Sequence, residues 1–294
     1  MQHDRFTRPL VLVGVILSLA SCQALREEPV TWTTGFARSA DGVAIGYQVS
    51  GDGPVSVVFV HGWLGDRGYW KHQLDYFAEA RRVVALDLAG HGASGLNRDQ
   101  WTYRAFGEDV AAVVRSLNLE RVVLVGHSMG GPVVLEAARI VPQRVIGLVA
   151  VDALQNPEAP GIADEAIDAF LAPFEADFDD AVRALVGRAM FVPRSDPVLK
   201  AWIVEDMASA PPAVGVGALR SNMLWPSTTR SDALAALRAP VRLINTDLYP
   251  TDSEAVSRYG MQVVIMPGVG HFAMLEDPET FNDLLSSAIA DFIR

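Results

Sequence analysis

The stretch Val122-Val-Leu-Val-Gly-His-Ser-Met-Gly-Gly-Pro-Val-Val-Leu135 passes from a continuous apolar run, through a cluster of glycines, into a helix-forming pattern. Val122 to Val125 suits a strand buried on both faces, and Met129 to Val141 reads as a helix. Between them Gly126-His127-Ser128-Met129-Gly130 has the form Gly-x-Ser-x-Gly, with strand before and helix after. A serine on so sharp a turn sits in a strained backbone conformation that exposes its hydroxyl. Gly126 and Gly130 lack the β-carbons that would block neighbouring chain. The helix aims its free N–H groups and positive dipole end at the same spot, favouring negative charge that develops there. Ser128 is the candidate nucleophile.

Outward from this turn, short β-rich runs alternate with helical patterns, as a mostly parallel sheet covered by helices requires. Upstream, Trp32 to Arg38 and Val43 to Val49 flank Ala40-Asp41-Gly42 and read as an antiparallel hairpin. Val55 to Val60 reads as a buried central strand, and a helix over Arg67 to Ala80 leads to a strand at Arg82 to Leu86. Thr102 to Leu117 is helical before the central stretch, and Val145 to Val151 is the next strand. The alternation breaks between Leu154 and Leu237, which reads as an inserted helical cap. It resumes with Val241 to Ile244, a helix near Ser253 to Tyr259, the strand Gln262 to Met266 and a helix from Pro278 to Ile293, with Pro278 suited to a first helical turn.

Half of the 294 residues are apolar and a fifth are charged, the composition of a compact globular chain. A formal net charge of −11 without acidic blocks argues against nucleic acid or an anionic bilayer surface as an electrostatic partner. No cluster of Cys, His and carboxylates has metal-ligand spacing, and the glycines around Ser128 belong to the turn rather than to a phosphate cradle. We therefore expect no metal and no organic cofactor.

With this turn in place, the chain from about Gly35 to Arg294 resembles the α/β-hydrolase family. The resemblance implies an eight-stranded, mostly parallel sheet flanked by helices, with core segments at residues 31–153 and 238–294 around a cap at 154–237. His61-Gly62-Trp63, after the third strand, is similar to the family's oxyanion loop, which implies backbone N–H donors from Trp63 and Met129. Asp87-Leu-Ala-Gly-His-Gly-Ala-Ser94 resembles a family loop to which we assign a structural role. Gly268-Val-Gly-His271 follows the last strand, where the family carries its catalytic histidine. An imidazole titrating at about 6.5 suits the transfer of a serine proton to a leaving group. His61, His91 and His127 lie in motifs that use histidine structurally.

The third member of a triad is an acid that orients His271. Asp247, just past the penultimate strand, preserves the chain order Ser, Asp, His and is the first choice. Asp252 and Asp152 are the alternatives; Asp152 ends the strand before the cap, a site that some family members use. The expected reaction is cleavage of a small or medium carboxylic ester or lactone through an acyl-enzyme. Carbon–carbon bond hydrolysis or perhydrolysis on the same triad is an alternative, as is a ligand-binding protein without turnover. Phe170, Phe174, Phe178, Met190, Phe191, Trp202, Met207, Met223 and Trp225 of the cap are candidate pocket residues, most of them expected to pack as cap core.

The first residues have another composition. Arg5 and Arg8 precede the apolar run Leu10 to Ala20, which is too short for a permanent span and has the layout of a secretory signal peptide. Leu19-Ala20-Ser21-Cys22 resembles the lipobox of bacterial lipoproteins, and Cys22 is the only cysteine. The resemblance implies removal of residues 1–21, lipid on Cys22, a tether over 22–30, and a chain held at the outer membrane facing the periplasm.

Overall fold

The structure, a computed structural model, describes residues 31–228 and 230–294. The expected signal peptide, lipid attachment at Cys22 and tether fall on residues 1–30, outside the described residues. The eight strands are β1 (Thr33–Arg38), β2 (Ala44–Ser50), β3 (Ser56–Val60), β4 (Arg82–Leu86), β5 (Val122–His127), β6 (Val145–Val151), β7 (Val241–Thr246) and β8 (Gln262–Met266). They form one sheet in the order β1-β2-β4-β3-β5-β6-β7-β8. β1 and β2 pair antiparallel, β2 joins β4 antiparallel, and every later pairing is parallel.

Every residue of β3 and β5 is buried, as their unbroken apolar runs require of central strands covered on both faces. The helices α1 (Lys71–Ala78), α2 (Tyr103–Ser116) and α3 (Gly130–Ile140) supply part of that cover. α2 packs on α3, and α3 packs on β5 and β6. The terminal helix, α11, packs on α1 and against β6 and β7. It runs from Pro278 to Ile293, with Asp277 capping its first turn through Thr280 N–H. The helix expected from Arg67 opens instead as a 3-10 turn, Arg67–Trp70, because the Asp66 carboxylate accepts from Gly68 N–H and tightens the entry.

Among the described residues between β6 and β7 lie five helices: α4 (Asp164–Ala176), α5 (Phe178–Ala189), α6 (Pro197–Ala208), α7 (Pro212–Thr228) and α8 (Arg230–Ala235). The remaining two are α9 (Ser253–Arg258) and α10 (Ala273–Glu276). The inserted layer is pinned to the sheet by specific bonds. Trp63 Nε1 donates to Gly215 O at 2.9 Å, and Tyr69 Oη donates to Asp206 Oδ2 at 2.8 Å.

The sheet order places a functional crevice. β3 has β4 on one side and β5 on the other, so the chain reverses its direction of growth there, and ligands of open α/β sheets bind beyond the carboxyl ends of strands at such a switch point. The two segments that leave these carboxyl ends begin with His61-Gly62-Trp63 and Ser128. Among the described residues no helix is long and apolar enough to cross a membrane.

Candidate active site

Ser128 has φ +50°, a left-handed conformation that costs a side-chain-bearing residue energy and persists because its surroundings enforce it. Its N–H donates to Val151 O at 2.8 Å, and its carbonyl accepts from Gly131 N–H at 2.9 Å. The glycines are sterically required. A β-carbon at Gly126 would lie 2.1 Å from Gly130 O, and one at Gly130 would lie 2.6 Å from Val60 O. The loop after β3 closes on the same turn, since a β-carbon at Gly62 would lie 3.2 Å from Ser128 Cβ. Trp63, Ser128 and Met129 line one cavity, so both expected oxyanion donors belong to residues around the serine.

The sheet register brings the acid to the serine. His127 pairs with Val151 across β5 and β6, so the residues that follow these two strands, Ser128 and Asp152, leave the sheet side by side. Asp152 also has positive φ, +44°, and its N–H donates to Ile244 O at 2.9 Å at the end of β7. His271 Nδ1 donates to Asp152 Oδ2 at 2.5 Å, with both side chains buried. The other carboxylate oxygen accepts from Thr246 N–H at 3.0 Å, Thr246 Oγ1 at 3.2 Å and Gln155 Nε2 at 3.3 Å. Burial by itself raises the Asp152 pKa. The His271 hydrogen bond and charge, with the Thr246 N–H, outweigh burial and hold the carboxyl below its ordinary value.

This corrects the first choice of acid. Asp247 is exposed, and its Oδ1 accepts from Gly268 N–H at 2.7 Å, bracing the loop that leads to His271 without touching the imidazole. Asp252 is the N-cap of α9, accepting from Ala255 N–H at 2.9 Å. The physical reason lies in β7. Its last two residues, Asn245 and Thr246, are fully buried and turn their polar groups toward Asp152 and the segment after it, with Asn245 Oδ1 accepting from Ala153 N–H. By the time the chain reaches Asp247 it has already left the buried ground beside His271.

His271 is held from several sides. Its N–H donates to Met190 O at 2.8 Å, its carbonyl accepts from His127 Nε2 at 2.8 Å, and Asp152 holds its ring. The remaining motif histidines are structural. Burial, followed by the charge of His271, pushes the His127 pKa down to about 3; burial, followed by His61, does the same to His91, also to about 3. Burial lowers that of His61 as well. All three are neutral at pH 7. His61 Nε2 accepts from Leu88 N–H at 3.0 Å, and Asp87 closes its own loop by accepting from Ala93 N–H and ties it to the 3-10 turn by accepting from Arg67 N–H, both at 2.9 Å.

The cavity over Ser128 has a volume of about 200 Å³. Besides the oxyanion-side residues it is walled by Phe170, Leu185, Met190, Ala218 and Leu219, with Asn222 the polar side chain of the cap wall. Of the cap residues named from the sequence, Phe170 and Met190 reach it. Phe174 packs edge-on to Trp63 with centroids 5.9 Å apart, Phe191 stacks on Phe272 at 5.5 Å, and Trp225 donates to Glu136. Among the described residues no group of three or more His, Cys, Asp or Glu side chains is placed to hold a metal ion.

Residues 57–284 match the sequence profile of the alpha/beta hydrolase family. The chain belongs to that family. This alpha/beta hydrolase is 30% identical over 253 residues to the dihydrolipoyllysine-residue acetyltransferase component of the acetoin cleaving system of Cupriavidus necator, a match covering 83% of the chain and 66% of that relative. It therefore spans just under two thirds of that protein's length. Among solved structures it is similar to Est816, described as an N-acyl homoserine lactone degrading enzyme, with TM-score 0.72 and 26% identity over 86% of this chain and 99% of that one. A thermophilic esterase from Thermogutta terrifontis shares the fold of this hydrolase, with TM-score 0.75 and 24% identity over 88% of this chain and 99% of that one.

Proposed function

We propose that the chain is a serine hydrolase that cleaves small carboxylic esters or lactones through an acyl-enzyme on Ser128. The observation that carries the reading is the 2.5 Å bond from His271 Nδ1 to Asp152, built beside a serine held at φ +50°. With Nδ1–H committed to the carboxylate, Nε2 of neutral His271 carries the lone pair that accepts the serine proton. Ser128 Oγ attacks the carbonyl carbon, and the N–H groups of Trp63 and Met129 receive the oxyanion. Collapse breaks the bond to the alkoxy oxygen, which takes the proton from His271 and leaves as an alcohol. Water then gives a proton to His271 and attacks the acyl carbon, releasing the acid and restoring Ser128. From a lactone the product is one hydroxy acid. The likeness to an enzyme described as degrading an N-acyl homoserine lactone supports an ester or lactone as the bond cleaved.

The cavity sets the acyl size. An apolar cavity of about 150 Å³ accommodates one benzene molecule. The 200 Å³ over Ser128 therefore takes a short acyl chain or a single ring. With p-nitrophenyl esters of increasing acyl length, kcat/KM is expected to peak between acetate and butyrate. Because a chain longer than the cavity holds the carbonyl out of reach of Ser128, and a misplacement of about 1 Å can cost about 10²-fold, octanoate is expected to react at least about tenfold more slowly. Turnover that keeps rising through octanoate would contradict this assignment of the pocket.

The proposal extends to location. The pattern at residues 5–22 supports export and lipid attachment at Cys22 in the bacterial outer membrane. The mature protein isolated from its own host is expected to begin at Cys22 with acyl chains on it. A mass spectrum showing residues 1–21 retained, or Cys22 unmodified, would overturn this part.

A further inference from the structure

A second cavity, of about 510 Å³, lies on the other side of α7 and contains neither Ser128 nor His271. α7 divides the two. Ala218, Leu219 and Asn222 line the cavity over the serine. Gly217, Arg220, Ser221 and Leu224, spaced as i, i+3, i+4 and i+7, form the stripe that lines the second. The facing wall comes from the start of α2 and from α3. Ser221 Oγ accepts from Tyr103 N–H at 3.1 Å, fixing one edge.

The wall combines aromatic rings with guanidinium groups. Trp101, Tyr103 and Trp225 line it, and a β-carbon at Gly217 would lie 2.5 Å from Trp101 Cδ1, so α7 is pared back to backbone where the indole stands. Tyr103 is 2% exposed, and its hydroxyl is buried without a hydrogen-bond partner among the described residues. Arg104, Arg139 and Arg220 line the same space, against Asp99 and Glu136. The Glu136 carboxylate is engaged within the wall, accepting from Arg139 Nη1 at 3.0 Å and from Trp225 Nε1 at 3.2 Å. Among the described residues the ion-pair partners of the other two cations lie at the rim. Arg220 pairs with Asp168 at 2.7 Å and with Glu175 at 3.9 Å, all three side chains well exposed, and the exposed Arg104 lies 3.9 Å from the partly buried Glu108. Exposed pairs of this kind contribute little, so exchanging them for a ligand costs little.

We propose that this cavity binds an aromatic monocarboxylate of one or two fused rings. The ring lies among Trp101, Tyr103 and Trp225, and the carboxylate is received by the guanidinium groups of Arg104 and Arg220. Planar guanidinium groups match carboxylate geometry, and indole faces take flat apolar area with little entropy loss. The volume lies within the range of ordinary small-molecule sites, roughly 300–1,000 Å³. The site is separate from the reacting serine, so it does not depend on the reaction proposed above.

The test is fluorine NMR of the protein labelled with 5-fluorotryptophan, its six tryptophan signals assigned by single Trp→Phe variants. 2-Naphthoate is expected to shift the Trp101 and Trp225 signals saturably at millimolar concentration, with the uncharged isostere 2-naphthamide about tenfold weaker, roughly 1.4 kcal/mol. The double variant Arg104→Gln/Arg220→Gln is expected to erase that preference without altering ester hydrolysis. Equal affinity for acid and amide, shifts confined to Trp63 over the serine, or no saturation up to about 10 mM would each overturn the proposal.

Discussion

Ser128→Ala is expected to lower kcat for p-nitrophenyl butyrate by about 10⁶-fold, the scale on which removal of an acyl-forming serine acts in a comparable triad. That is about 8 kcal/mol of transition-state stabilisation. The loss should fall on kcat, with KM changed little, because Ser128 is a small part of the lining of the 200 Å³ cavity and its apolar walls, Phe170, Leu185, Met190, Ala218 and Leu219, are untouched. The variant should also fold. Alanine fits the space of serine, and the left-handed turn is held by backbone bonds from Ser128 N–H to Val151 O and from Gly131 N–H to Ser128 O, which the substitution keeps. The residual rate should still exceed that of water by about 10³-fold or more, supplied by the Trp63 and Met129 donors and by binding. Activity retained within about tenfold would place the nucleophile elsewhere.

The eight strands were legible because the central ones leave no ambiguity of period. Val57 to Val60 and Val122 to Val125 are continuous apolar runs, each followed by a glycine-containing turn, and runs this short suit a strand covered on both faces rather than a helix. The serine turn was legible for a similar reason. Its glycines are demanded by contacts as short as 2.1 Å, so the sequence signature is the direct trace of a steric constraint. β8 was found at its expected place, yet Val264 and Ile265 remain 46% and 40% exposed, because an apolar run does not announce that its strand lies at a sheet edge.

The acid was not legible to the same degree. Asp152 and Asp247 each directly follow a strand, and Asp252 lies in the same loop as Asp247; nothing in local composition states which loop turns inward. The decision is made in three dimensions, by the positive φ of Asp152 and by its contact with the end of the neighbouring strand. One signal was present. Asn245-Thr246 closes β7 with two polar residues that are fully buried, and buried polar groups need partners, which here include Asp152 and the backbone beside it. In the cap, aromatic and methionine spacing could not distinguish Phe170 and Met190, which reach the cavity, from Phe174 and Phe191, which pack against core rings.

The three carboxylates make unequal predictions. Asp152 Oδ1 accepts from Thr246 N–H and Oγ1 while Oδ2 receives His271 Nδ1–H. In Asp152→Asn the amide oxygen stays with the Thr246 donors, leaving the NH₂ group to face His271. The imidazole must then accept at Nδ1 and carry its proton on Nε2, where it cannot take one from Ser128. The same substitution at a comparable triad acid lowers kcat by about 10⁴-fold with the geometry intact. Asp247→Asn keeps an oxygen to accept from Gly268 N–H at an exposed position, and its rate should stay within about threefold of the parent, the range of an ordinary surface change. Measuring kcat for Asp152→Asn and Asp247→Asn on one short ester tests the account most directly. A loss of about 10⁴-fold confined to the Asp152 variant is the result predicted; an Asp152 variant within about tenfold of the parent, or an Asp247 variant as damaged as it, would contradict the Ser128–His271–Asp152 assignment.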